Sequence, residues 1–219
     1  MGIHLIILAG DGLTTHAQIS QSGVVKTFAQ PPAIFMKSLP IVCIVLLLAG
    51  VRSFGQEKYR GGIVYGPKAA FNISAPEGWV LDNEAGAEQG LPCVLYPKDS
   101  SWADAKTIIY AKIASTQYED VDKFVAIAIK EMKDRHGLPK EKIESGKTRD
   151  GRFYFINEYP ATKNYSQWER VAYIQLPHAV AYVVLSSRDE PSYRKDAPAL
   201  TEVLKTFVYL EPKSDRGQH

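Results

Sequence analysis

The residues that could do chemistry are few and scattered. Beyond residue 55 the chain has three histidines, His136, His178 and His219, and none stands at a zinc spacing such as His-x-x-x-His from another histidine, cysteine or acid. No metal and no other cofactor is therefore expected. A Gly-x-Ser-x-Gly nucleophile elbow is missing, which disfavours that class of hydrolase. Gly146-Lys-Thr148 resembles the end of a phosphate-binding loop, but Glu141 stands where the loop needs its first glycine, and the surroundings read as a hairpin strand. Cys93 lies between Pro92 and Val94-Leu95, without the electropositive, open setting that makes a thiolate, so it is expected to be a small buried hydrophobe.

The aromatic residues are the remaining candidates. Tyr154, Tyr159, Tyr165 and Trp168, with Tyr173 and Tyr182 nearby, crowd one region of the sequence. Tyr and Trp suit recognition surfaces because one end is apolar and the other polar. Packing also places them in strands, so a core role stands beside the interaction surface. Lys140, Lys142, Lys147, Arg149 and Arg152 form a basic run interrupted by Glu141, Glu144 and Asp150, which reads as the solvated face of a hairpin. Asn72-Ile-Ser74 and Asn164-Tyr-Ser166 fit the glycosylation sequon, relevant only in a eukaryotic secretory pathway.

These residues need a scaffold, and its pattern is clearer. Residues 1–55 account for the whole formal charge of +2, so residues 56–219 are formally neutral and are not expected to bind nucleic acid. Met36-Lys37 opens an apolar run, Ile41–Val51, of about eleven residues, followed by small residues at Ser53 and Gly55, the layout of a cleavable signal peptide over residues 36–55. The run falls short of the ~20 residues that span a bilayer, so no stable membrane span is expected after cleavage. Residues 1–35 read as a mis-called, disordered upstream extension. The product is then an exported protein, periplasmic or secreted, starting near Gln56. Removal of Cys43 would leave one thiol.

Residues 58–211 read as a single α+β domain, with residues 212–219 a loose tail. Phe71, Ile73 and Ala75 alternate with polar residues, Pro76-Glu-Gly78 turns the chain, and Trp79 starts a returning segment, giving an expected opening hairpin. Further strands are expected at Ile63–Tyr65, Leu91–Tyr96 and Lys106–Ser115, the last apolar on both faces and so central. Val121, Phe124, Val125, Ala128, Ile129 and Met132 then fall on one helical stripe, predicting a helix over 117–136 with Thr116 and Glu119 as a capping box. Strands at Lys142–Thr148, Arg152–Tyr159, Gln167–Leu176 and Ala179–Ser187 form a meander, with Asp150-Gly151 as its first turn. A last helix over Ser192–Thr206 has Pro198 either in its first turn after an Asp196 cap or kinking it.

The pattern Phe71-x-Ile73-x-x-Pro76-x-Gly78-Trp79, the segment Ser115–Phe124, Val184-Leu-Ser-Ser-Arg188 and the closing Val203-Leu-Lys-Thr-Phe207 together resemble the PsbP-like superfamily of small exported proteins. That superfamily is named after an extrinsic subunit of photosystem II, and DcrB-like envelope proteins share its fold. The resemblance implies an α-β-α sandwich with a central antiparallel sheet, and it carries no catalytic motif or ligand set onto this chain. The expected function is a non-enzymatic binding domain for another envelope protein. The alternative is a small-ligand carrier or enzyme with a pocket between sheet and helices, anchored by Cys93 or His178.

Overall fold

The computed structural model describes residues 61–115 and 117–211. The expected signal peptide, the upstream stretch, Thr116 and the C-terminal tail lie outside them. Among the described residues, ten strands and two α-helices follow in the order β1 (Gly61–Tyr65), β2 (Ala70–Ser74), β3 (Trp79–Asp82), β4 (Val94–Pro97), β5 (Thr107–Ile113), α1 (Val121–His136), β6 (Lys140–Lys147), β7 (Phe153–Tyr159), β8 (Trp168–Leu176), β9 (Ala179–Ser187), α2 (Glu190–Leu204) and β10 (Val208–Leu210). Seven strands form one antiparallel sheet in the order β3-β4-β5-β9-β8-β7-β6, and three form a smaller one in the order β1-β2-β10.

Strand β9 is buried along its whole length. Alternation sends Ala181, Val183 and Leu185 to one face and Val180, Tyr182 and Val184 to the other. Strand β5 does the same, with Ile109 and Ala111 opposed to Ile108 and Tyr110, as its two-sided apolar pattern requires. The first face is covered by α2 through Leu200, Val203 and Leu204, the second by α1 through Phe124, Val125, Ala128 and Met132. The architecture is thus α+β, with two helices packed on opposite faces of a large antiparallel sheet.

The expected opening hairpin does not form. β2 pairs with β1 and β10, whereas β3 pairs with β4 in the other sheet. The turn closed by Trp79 N–H on the Pro76 carbonyl, with Gly78 at φ 79°, carries the chain from one sheet to the other. Alternation identifies a strand but not its partner. β10, three residues long, was too short to show a period, and it completes the small sheet over the α2 face. Phe207, just before it, stacks on Phe71 with centroids 4.5 Å apart, and Thr206 Oγ1 accepts from Ser74 N at 2.8 Å.

Two helix starts also differ from expectation. Asp120, not the Thr116–Glu119 box, caps α1 by accepting from Lys123 N at 2.9 Å. In α2 the cap is Asp189, accepting from Ser192 N at 2.8 Å, and the first-turn proline is Pro191. Pro198 lies inside the helix on its exposed side, where water can satisfy the carbonyl it leaves unpaired.

Phe207 is fully buried and joins the small sheet to the core beneath α2. Phe207→Ala is expected to cost about 3–5 kcal/mol in a denaturant titration. A cost below about 1 kcal/mol would show that the stack contributes little.

Candidate functional site

On the α1 face, β8 places Glu169 in register with Tyr159 of β7 and Ser186 of β9. The parity that turns Val171 and Tyr173 towards α1 turns Glu169 the same way, into the dry interior. The last turn of α1 brings His136 to meet it, one helical repeat beyond the core residue Met132. His136 Nε2 lies 3.6 Å from Glu169 Oε2, with side chains 0% and 1% exposed. Neither Glu169 oxygen nor His136 Nε2 has a hydrogen-bond partner among the described residues. The other ring nitrogen, Nδ1, is 3.0 Å from the Pro160 carbonyl, and the ring packs edge-on against Tyr165 and Tyr159 at 4.7 and 5.7 Å.

Desolvation dominates this cluster. Burial pushes the Glu169 carboxyl up to about 8, against the smaller opposing effects of the Ser186 hydroxyl and the Arg135 charge. Burial lowers the His136 pKa, against the hydrogen bond to Pro160 and with a small push from Arg135. Tyr110, Tyr165 and Tyr173 are all held in the neutral phenol form, first by burial; the neighbouring carboxyl comes next for Tyr110 and Tyr165, whereas for Tyr173 the Tyr159 hydroxyl precedes it. Sequence reasoning passed over Glu169, and it read His136 as a helix terminus after finding no partner at a zinc spacing. The register was legible, since Glu169 keeps step with Val171 and Tyr173, but their meeting depends on how α1 lies across the sheet.

The opposite face holds a contrasting carboxylate. Burial raises the Glu158 pKa, but hydrogen bonds from Lys140 and Tyr193 and the charge of Arg170 outweigh it and hold the group below its usual range. Lys140 Nζ donates to Oε1 at 2.8 Å and Tyr193 Oη to Oε2 at 2.5 Å. Arg170 Nε donates to Tyr193 Oη at 2.9 Å, and Thr201 Oγ1 to Glu144 at 2.7 Å, so the network ties α2 to strands β6, β7 and β8. It is satisfied and structural.

The four aromatics read as an interaction surface do not share a face. Tyr154 and Trp168 belong to the α2-side core, and Tyr159 and Tyr165 to the α1-side core. Tyr154 and Tyr159 are buried. Tyr154 lies over Gly146, where an added Cβ would come within 2.6 Å of its hydroxyl, so the glycine of the phosphate-loop mimic serves close packing in a strand. Cys93 and His178 are likewise apart. Cys93 is buried beneath Gly62 of β1, and His178 is exposed in the β8–β9 turn. A shallow groove of about 270 Å³ opens elsewhere, lined by Val121, Arg152, Phe153, Phe155, Tyr173 and Gln175. Among the described residues, no group of three or more His, Cys, Asp or Glu side chains comes together as a metal site, and no helix is long and apolar enough to cross a membrane.

Burial, with a smaller effect from Asp82, pushes the Cys93 thiol up to about 12. A thiol reagent is expected to label it only after unfolding. Fast labelling of the native chain would contradict this placement.

Neither a family model nor a curated protein matches the chain. Among solved structures, it is similar to the solution structure of cyanobacterial PsbP (CyanoP) from Synechocystis sp. PCC 6803, with a TM-score of 0.42, 15% identity, and coverage of 64% of this chain and 86% of that one. It is also similar to the crystal structure of a protein of unknown function from Pseudomonas aeruginosa, with a TM-score of 0.35, 14% identity, and coverage of 71% and 99%.

Proposed function

We propose that the chain is an exported, non-enzymatic binding domain of the PsbP-like type that engages an envelope protein through the groove beside α1. The observation that carries this reading is Phe153. It is 60% exposed on a strand whose next inward residue, Phe155, is core. Large aromatic side chains left in water beside an apolar groove are common anchors of protein recognition. Val121, Phe155 and Tyr173 supply the apolar floor, and Arg152 and Gln175 supply polar walls.

Two ammonium groups favour an acidic partner. Lys147 stands opposite Phe153 in the β6–β7 register, on the same face, and Lys142 Nζ lies 5.2 Å from the centre of the Phe155 ring. A segment presenting an apolar side chain next to carboxylates is complementary to this arrangement. The export part of the proposal rests on the sequence layout of residues 36–55.

Affinity-tagged chain incubated with envelope extract is expected to retain a specific protein that Phe153→Ser loses at least about tenfold. Equal recovery by both forms, or nothing above background, would overturn the proposed surface. Chain recovered from the producing cells is expected to have an intact mass that begins near Gln56. A mass that includes residues 1–35 would contradict the signal-peptide reading.

A further inference from the structure

His136 joins three parts of the fold. Its ring belongs to the last turn of α1, its Nδ1 meets the Pro160 carbonyl at the start of the β7–β8 loop, and its edge packs on Tyr165 near the loop's end. Thr162 adds a hydrogen bond from its hydroxyl to the Arg135 carbonyl. The loop from Pro160 to Gln167 is thus fastened to α1 around one imidazole, and the far side of that imidazole faces Glu169.

Hydrogen-bond chemistry fixes how many protons this arrangement needs. A carbonyl oxygen only accepts, so Nδ1 must carry a hydrogen. In the neutral ring Nε2 is then a bare lone pair, and beside an ionised Glu169 it would repel. One further proton makes the contact attractive, whether it rests on the carboxyl or on Nε2. Removing it leaves a buried anion facing a lone pair, and adding another leaves a buried cation.

The groups packed around the pair offer no compensating charge of their own. Tyr110 from β5, Tyr159 from β7, Tyr173 from β8 and Tyr165 from the loop are phenols, and Ser186 from β9 is a hydroxyl. Arg135 is the nearest cation acting on both partners, and it is exposed to solvent, which screens it.

We propose that Glu169 and His136 form a one-proton latch that closes the 160–167 loop onto the end of α1, and that loss of this proton at alkaline pH releases the loop. The latch shares Tyr173 with the floor of the Phe153 groove but does not rest on the binding reading. The sign follows from linkage. Glu169 has a folded pKa raised to about 8 from an ordinary 4.5, so its contribution is fully present below the ordinary value and is lost as pH rises through about 8. His136 has a lowered folded pKa, so its contribution is present above the ordinary 6.5 and is lost as pH falls through the lowered value. The latch is closed between these limits.

Hydrogen exchange of the full chain, read by mass spectrometry over about pH 6–10 and normalised to peptides from α2, tests this. Protection of 134–138 and 160–167 is expected to fall relative to α2 by about tenfold per pH unit between about pH 6.5 and about 8, the slope of a single proton, and to level off above about 8. Glu169→Gln keeps a hydrogen-bond donor that cannot ionise, and its loop should show no such fall. Equal slopes in the two proteins would overturn the latch. If the variant does not fold, the wild-type titration decides alone: a one-proton transition confined to the two segments supports the latch, and a transition shared with α2, or none, overturns it.

Discussion

Strand β9 has no face in water, and the rest of the fold follows from that. Its backbone is satisfied by β5 on one side and β8 on the other, and its side chains must be covered twice. Two helical stripes on opposite faces do most of this, and the small sheet adds Phe71, Ile73 and Val64 to the α2 side. Polar side chains are admitted to the central strands only near their ends. Thr107 and Ser187 hydrogen-bond to each other at 3.0 Å, and Ser186 donates to Gln167 at 2.9 Å.

Where carboxylates enter the sheet, the two faces treat them differently. Glu158 and Glu169 sit on adjacent strands, one turned to α2 and the other to α1. Glu158 reaches the sheet margin and meets two cations and a tyrosine, so it stays ionised. Glu169 lies deeper, with one imidazole and a ring of phenols, so burial decides its charge. Residue type is the same in both cases. The number of donors within reach makes one a structural anchor and the other a proton-binding group.

Most of the architecture was legible in the sequence because it is written in periods. The stripe from Val121 to Met132 gave α1, and the four strands after it were bounded by turn chemistry, including Gly151 at φ 83° after Asp150. Pairing was not legible where the connection is a crossing between sheets, as at Pro76–Trp79. The caps at Asp120 and Asp189 were missed because several polar residues near each helix start offered equivalent spacing, and of the two readings left open for Pro198 the interior one holds. The candidate site was half-written. Glu169 keeps inward register on β8, and His136 extends the α1 stripe, but only the packed structure shows that they meet.

The proposed latch keeps one proton between Glu169 and His136 inside a fold buried on both sides. A titration of the intact chain that follows the ¹⁵N signals of the His136 ring tests it most directly. Nδ1 is expected to stay protonated throughout, with a single transition at Nε2 near the pH at which Glu169 ionises, about 8. A ring with its proton on Nε2 and a bare Nδ1, or one that does not respond between about pH 6 and 10, would contradict it.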